Sequence, residues 1–372
     1  MRIAIDGREL CGRATGVGRY LRHLLEAWAG LPEAAAHQFV LYLPAEAKAM
    51  AGGELPTAKS WAVRRVPGGP GTWWEQVRLP AALRHDDPQV LFAPAYTAPI
   101  SGAVPVVLTI HDLSYVAHPE WFPARTRLRR RVLSTLAARR ARVVITDAEF
   151  SRGEVVRLLG VPPEKVRVIP LGVTAPGGGP AGRGFTPANA RSSSLVLFVG
   201  SIFNRRHLPE LIQAFAALAS PRPGLRLEIV GDNRTYPPQD LPEVARRAGV
   251  EGSVTIRSYV PDAELAALYA RAGLFVFLSD YEGFGLTPLE ALAAGVPILV
   301  GDTRVAREVY GDAAAFVSTS DVGAIARQID RLLHDAAARS TLLDRAPAVL
   351  ARYSWELAGR ATLHALLEAA RA

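Results

Sequence analysis

Asp280-Tyr-Glu-Gly-Phe-Gly-Leu-Thr-Pro-Leu-Glu-Ala-Leu-Ala-Ala-Gly-Val-Pro297 is the most informative stretch of this chain. Two carboxylates, Glu282 and Glu290, are separated by seven residues. Between them lie a glycine-bearing loop, Gly283-Phe284-Gly285-Leu286, and a helix start at Thr287-Pro288. Loop amides and the unbonded N–H groups of a first helical turn form an anion site. Acids beside such a site make sense when one ligand offers phosphate to the backbone and hydroxyls to the carboxylates, as a nucleotide sugar does. Thr287-Pro-Leu-Glu290 also reads as a capping box with proline at the first helical position, in which Glu290 serves only its own helix.

The run Glu282-Gly-Phe-Gly-Leu-Thr-Pro-Leu-Glu290-Ala-Leu-Ala-Ala-Gly295-Val-Pro297 resembles the Glu-x7-Glu signature of the retaining glycosyltransferases of family 4. The likeness extends from Arg2-Ile-Ala-Ile-Asp-Gly7 to the final helix. It implies an α/β protein of the GT-B fold, with two Rossmann-like, doubly wound parallel-sheet domains facing across a cleft. His111-Asp-Leu-Ser-Tyr-Val-Ala-His-Pro119 and Glu120-Trp-Phe122 look most like mannosyl- and rhamnosyl-type members.

The composition accommodates that reading. The 372 residues suffice for two domains of ordinary size, and 49% hydrophobic against 21% charged residues is a globular balance. Cys11 is the only cysteine, which excludes an internal disulfide and a cysteine zinc cluster and suits a reducing cytoplasm. Neither a charged leader with an apolar core nor a run of ~20 apolar residues is present, so a soluble or peripheral protein is expected. The net charge of +8 is concentrated in residues 125–142, which hold eight arginines and no acid. There Leu128, Val132, Leu136 and Ala137 fall at helical spacing with arginines on the other faces. The segment reads either as a solvated helix face or as a contact for anionic lipid at the inner face of the membrane or for a diphosphate-linked acceptor. Nucleic acid is not expected, because interleaved aromatics and a nucleic-acid motif are both missing.

Apolar, β-branched runs alternate with helical stretches throughout. Strands are expected at 3–6, 39–43, 62–66, 90–93, 106–110, 143–146 and 166–169, then at 195–199, 227–230, 254–256, 274–278, 297–300 and 315–317. Continuous apolar strands separated by helices imply parallel sheets covered on both faces. The expected organisation is a first domain over 1–174, a Gly/Pro-rich linker over 175–193, a donor domain over 194–352 and a terminal segment over 353–372. The resemblance implies that this last helix returns to the first domain.

The remaining site residues follow strand ends or the resemblance. Gly12-Arg-Ala-Thr-Gly16-Val-Gly18 follows the first strand, yet Leu21 stands where a dinucleotide fingerprint needs its third glycine, which disfavours a dehydrogenase. The resemblance implies that Gly16 approaches the donor phosphate. His111 lies at the carboxyl end of a strand, where open α/β sheets bind ligands, and the resemblance implies contact with the transferred sugar. Asp112 is read as an acceptor-side residue that orients a loop, and Asp147 either as an acceptor contact or as a helix cap. Arg205 and Arg206 occupy the place of the family's Arg-Lys pair, with His207 where asparagine is common. Adjacent cations suit the charge that grows on a departing diphosphate. The turn Arg257-Ser-Tyr259-Val260 is implied to lie beside the nucleobase.

The resemblance thus implies transfer of a hexose from a nucleoside diphosphate sugar, GDP-mannose leading, to the hydroxyl of a saccharide or lipid-diphosphate-linked acceptor with retention at the anomeric carbon. His111, Glu282, Arg205 and Arg206 would carry the chemistry. Gly283 to Leu286 and Glu290 would hold the nucleotide, Glu290 through its ribose. No cofactor or metal is expected. A non-catalytic nucleotide-sugar-binding protein, or an epimerase or phosphorylase on the same scaffold, stands as the alternative.

Overall fold

A computed structural model describes residues 1–12, 16–47, 60–176, 193–220, 222 and 224–371. The chain forms two compact units. The first comprises Met1–Ala117, Ala124–Gly172 and the terminal helix Trp355–Arg371; the second comprises His118–Pro123 and the described part of Val173–Ser354. Most of the expected linker, residues 177–192, lies outside the described residues. His118–Pro123 groups with the second unit, where the His118 ring stacks on Trp121 at 4.0 Å and meets Tyr281 edge-on at 5.2 Å.

In the first unit, strands β1 (Arg2–Asp6), β2 (Gln38–Pro44), β3 (Trp61–Val66), β4 (Val90–Ala93), β5 (Val106–Thr109), β6 (Val143–Thr146) and β7 (Val166–Val168) form one sheet in the order β3-β2-β1-β4-β5-β6-β7. Every pairing is parallel. β4, β5 and β6 are buried along their whole length because helices cover both faces, whereas the edge strand β3 is exposed or half-buried except at Val66. The terminal helix packs on helix Gly16–Gly30, with the Trp28 indole donating to the Gly359 carbonyl at 2.8 Å. A Cβ at Gly359 would lie 2.8 Å from that of Ala27, so glycine sets the closeness of the two helices.

In the second unit, β8 (Leu195–Val199), β9 (Arg226–Val230), β10 (Val254–Arg257), β11 (Leu274–Phe277), β12 (Ile298–Gly301) and β13 (Ala314–Val317) pair in parallel in the order β10-β9-β8-β11-β12-β13. The strand order reverses beside β1 in the first sheet and beside β8 in the second. Such reversals open a crevice outside the carboxyl ends of the flanking strands. The crevice of the first unit is flanked by β1 and β4, that of the second by β8 and β11.

The arginine-rich segment forms the helix Ala124–Arg140, but not with its larger apolar side chains inward. Ser134, Ala137 and Ala138 are buried, while Leu128, Val132 and Leu136 are 63%, 47% and 45% exposed. Small residues let the helix lie close to its unit. An apolar stripe flanked by arginines therefore faces solvent. Among the described residues, no helix is long and apolar enough to cross a membrane.

Candidate functional site

The loop after β8 starts with Gly200 at φ +144°, where a Cβ would lie 2.4 Å from an Arg206 terminal nitrogen. Glycine therefore admits the guanidinium against the backbone. A short turn, Asn204–Arg206, then buries both arginines. Arg206 donates from Nε to Glu282 Oε1 at 3.1 Å and from a terminal nitrogen to the Ser201 carbonyl at 2.8 Å. Its other terminal nitrogen lies 3.0 Å from Glu282 Oε1, and Arg205 Nε approaches the same oxygen at 3.5 Å. The Arg206 guanidinium lies over the Phe277 ring at 4.6 Å. Burial pulls the Arg206 pKa down, Glu282 opposes that shift and Arg205 adds to it; the guanidinium stays protonated.

Glu282 comes from the loop after β11 and also accepts from the Ser279 hydroxyl at 2.7 Å. Arg205, Arg206 and Glu282 thus form one buried cluster at the switch point of the second sheet. Gly285 then takes the left-handed conformation, φ +90°, as the cap of helix Leu286–Ala293. A Cβ there would lie 2.1 Å from the Tyr310 hydroxyl, which donates to the Gly285 carbonyl at 2.9 Å. The helix begins two residues earlier than the capping-box reading places it, so Thr287 sits inside the first turn and Pro288 at its third position. No side-chain cap forms, which corrects the capping-box alternative. Glu290 instead accepts from the buried Tyr269 hydroxyl at 3.2 Å. The N–H groups of Gly285, Leu286 and Thr287 have no acceptor within the helix, and Pro288 has none to offer. Phe284 is buried edge-on against Tyr353 at 5.1 Å, so only its backbone is placed for a ligand. Gly283 is buried in the same loop. Tyr259 follows β10 and is 64% exposed; its neighbour Arg257 pairs with Glu228 and Glu264.

In the first unit, His111 follows β5. Its Nδ1 lies 2.8 Å from Asp147 Oδ2 and its Nε2 lies 3.0 Å from the Pro94 carbonyl. Both ring nitrogens face hydrogen-bonding oxygens, an arrangement that favours the doubly protonated ring. Burial opposes that charge, but Asp147 and the Pro94 carbonyl outweigh it and raise the His111 pKa. Tyr20 packs edge-on against the ring at 4.8 Å. Tyr20 lies on the helix that Gly16 begins. Asp147 is 2% exposed, which corrects both earlier readings: it neither reaches an acceptor directly nor caps the following helix, whose cap is Ala148. It holds His111. Asp112 accepts from the Ser114 amide at 3.0 Å and hydroxyl at 2.8 Å.

Sequence reasoning passed over Asp6, Arg8 and Glu75. Arg8 bridges Asp6 at 2.8 Å and Glu75 at 2.6 Å beyond the end of β1. Asp6 and Arg8 are unremarkable in sequence, and Glu75 lies about seventy residues away in the mixed polar and apolar stretch Trp74–Arg78. It also passed over Ser279, Tyr269 and Tyr310, whose hydroxyls gain meaning only from what the fold places beside them.

Two family models cover most of the chain: "Glycosyltransferase Family 4" over residues 14–175 and "Glycosyl transferases group 1" over residues 187–348. The chain is 30% identical over 272 residues to the O-antigen chain mannosyltransferase B of Escherichia coli, covering 70% of this chain and 69% of that protein. It is 33% identical over 174 residues to the GDP-mannose:cellobiosyl-diphosphopolyprenol alpha-mannosyltransferase of Komagataeibacter xylinus, covering 45% and 44%. Among solved structures, sucrose-phosphate synthase from Thermosynechococcus elongatus superposes with a TM-score of 0.76 at 20% identity over 99% of both chains. With its two parallel sheets and these matches, the chain belongs to glycosyltransferase family 4 and has the GT-B fold.

Proposed function

We propose that this glycosyltransferase moves mannose from GDP-mannose to a hydroxyl of a saccharide or lipid-diphosphate-linked acceptor, with retention and without a metal. The observation that carries the donor site is the convergence of Arg205, Arg206 and Glu282 with the Gly285-capped helix N-terminus at one switch point. Two buried cations and unpaired amides are suited to a diphosphate. Glu290, one turn into that helix, accepts the ribose hydroxyls, and Glu282 those of the hexose. His111 contributes a fixed positive ring to the sugar-binding side of the first unit. The two mannosyltransferases among the relatives favour mannose, and the second of them favours guanine.

The test is thermal stabilisation by GDP, UDP, ADP and dTDP, each with and without magnesium, followed by transfer from GDP-mannose. A ligand that binds only the folded state raises the melting temperature. GDP is expected to give the largest shift without magnesium, and anomer-resolved analysis is expected to find retention. Stabilisation by none of the four would remove the donor site. Binding without transfer or with sugar interconversion would favour the non-catalytic or epimerase alternative. Glu290→Ala is expected to weaken GDP by about tenfold for a lost pair of charged hydrogen bonds, a loss not expected of Glu282→Ala. Equal GDP affinity in Glu290→Ala and the parent would remove Glu290 from the ribose.

The second element of the proposal is a peripheral position at the cytoplasmic face of the membrane. The exposed Leu128–Val132–Leu136 stripe between arginines fits the boundary of an anionic bilayer. Changing Arg129, Arg130 and Arg131 to Glu is expected to weaken binding to phosphatidylglycerol vesicles by on the order of 10²-fold or more, at about 1 kcal/mol per basic residue. GDP stabilisation is expected to be unchanged. Vesicle binding equal to the parent would remove the membrane contact.

A further inference from the structure

His207 stands between the two loops of the donor cluster and takes no part in the roles assigned so far. Its backbone is left-handed, φ +49°, a conformation in which histidine and asparagine are enriched among non-glycine residues. Its Nε2 lies 2.5 Å from Asp280 Oδ2, and its Nδ1 lies 3.3 Å from Glu210 Oε1. Asp280 is held in turn by the Thr319 hydroxyl at 2.6 Å, and its amide donates to the Arg205 carbonyl at 3.0 Å. One residue before His207 is Arg206; two residues after Asp280 is Glu282. The pairs His207–Asp280 and Arg206–Glu282 are therefore two ties between the same two loops.

We infer that His207 is a positioning residue: its imidazolium fastens the arginine loop to the carboxylate loop, so that Arg206 and Glu282 meet the donor in one fixed arrangement. The inference rests on the donor-site reading above. It accounts for a chain-specific feature, histidine where the family commonly has asparagine. Asparagine satisfies the left-handed backbone, but its two N–H groups share one neutral nitrogen, so it offers neither the charge nor the two separated donors that face Asp280 and Glu210 here.

The tie titrates. Burial works against the His207 charge, but hydrogen bonds to Asp280 and Glu210 and their negative charges raise its pKa to about 9. The charged groups facing it are Glu210 in the helix Leu208–Ala219, which His207 precedes as its cap residue, and Asp280 on the neighbouring loop; His118 in turn bears on Asp280 and helps to depress its pKa. A group with a raised folded pKa contributes fully below its unfolded value, near 6.5, and loses that contribution as pH rises through the folded value. The fastening is thus complete at neutral pH and released through about pH 9.

The test is GDP affinity by calorimetry from pH 6 to pH 10 for the parent, His207→Asn, His207→Gln and Asp280→Asn. The parent is expected to lose affinity through about pH 9. The variants are expected to bind about tenfold more weakly at pH 7, the scale of a charge-assisted hydrogen bond, and to lack that decline. Titration of the nucleotide itself is common to all four and cancels in the comparison. A purely structural role would lower melting temperature without altering the pH profile. Parent-like affinity and profile in both His207→Asn and Asp280→Asn would overturn the inference while leaving the donor site intact. Failure of the parent to bind GDP or any other nucleoside diphosphate at pH 7 would overturn the donor site itself, and this inference with it.

Discussion

Arg206→Ala is expected to lower kcat/KM for the sugar donor by about 10²- to 10³-fold, the range for removing one preorganised donor from a developing negative charge. The guanidinium is buried against Phe277 and held by Glu282 and the Ser201 carbonyl, so it has little freedom to settle elsewhere. That preorganisation gives the effect its size: nothing must reorient as charge moves onto the leaving diphosphate. The substitution also leaves Glu282 with only Arg205 and Ser279, at an expected stability cost of about 2 kcal/mol for a partly compensated buried charge. Arg206→Lys separates the two effects. Lysine restores a point charge without the bidentate fork and is the residue usual at this place in the family, so most activity is expected to return. Steady-state kinetics at saturating acceptor, alongside melting curves, check both variants. A folded Arg206→Ala enzyme with parental kcat/KM would exclude Arg206 from diphosphate stabilisation.

The fold was legible because its strands are continuous apolar runs. Val90–Ala93, Val143–Thr146 and Leu274–Phe277 are buried on every residue, and that is how a parallel strand covered on both faces reads in sequence. All thirteen strands fall where the apolar runs lie, within one or two residues. Glu282 and the arginine pair were legible for a different reason, since each lies in a short loop or turn after a strand, and Glu290 keeps its seven-residue spacing from Glu282 inside the helix that follows. Side-chain direction was not legible. The arginine helix has its largest apolar residues outward because Ser134, Ala137 and Ala138 fit more closely against the unit, a packing preference that helical periodicity does not contain. Asp147 offered a carboxylate at a helix start, and only the fold reveals His111, thirty-six residues away in sequence, as its partner. Thr287-Pro-Leu-Glu290 matched a local motif that lost to Gly285, whose positive φ starts the helix early and turns Glu290 toward Tyr269.

Glu282→Gln is expected to abolish most transfer while leaving GDP binding intact or strengthening it. Glu282 Oε1 lies 3.0 Å from Arg206 and 3.5 Å from Arg205, the same cations assigned to the diphosphate. One carboxylate and one diphosphate compete for a pair of guanidinium groups, because each anion weakens the field the other feels. Under the proposed roles, binding of the diphosphate is expected to loosen Glu282 from the arginines and make its oxygens available to hexose hydroxyls. The sugar nucleotide benefits from both contacts, whereas GDP alone only competes with Glu282. Removing the charge of Glu282 is thus expected to tighten GDP by about three- to tenfold, a coupling of roughly 1 kcal/mol. The glutamine amide keeps the shape but no longer accepts hydrogen bonds as an anion, so kcat/KM for GDP-mannose is expected to fall by about 10²-fold or more. Calorimetry with GDP and kinetics with GDP-mannose on the same preparation give the two numbers. The opposite signs identify a carboxylate that exchanges partners during the reaction. A parallel loss of GDP affinity and transfer would instead mark Glu282 as a support for the arginines, and would return the hexose hydroxyls to another residue of the second unit.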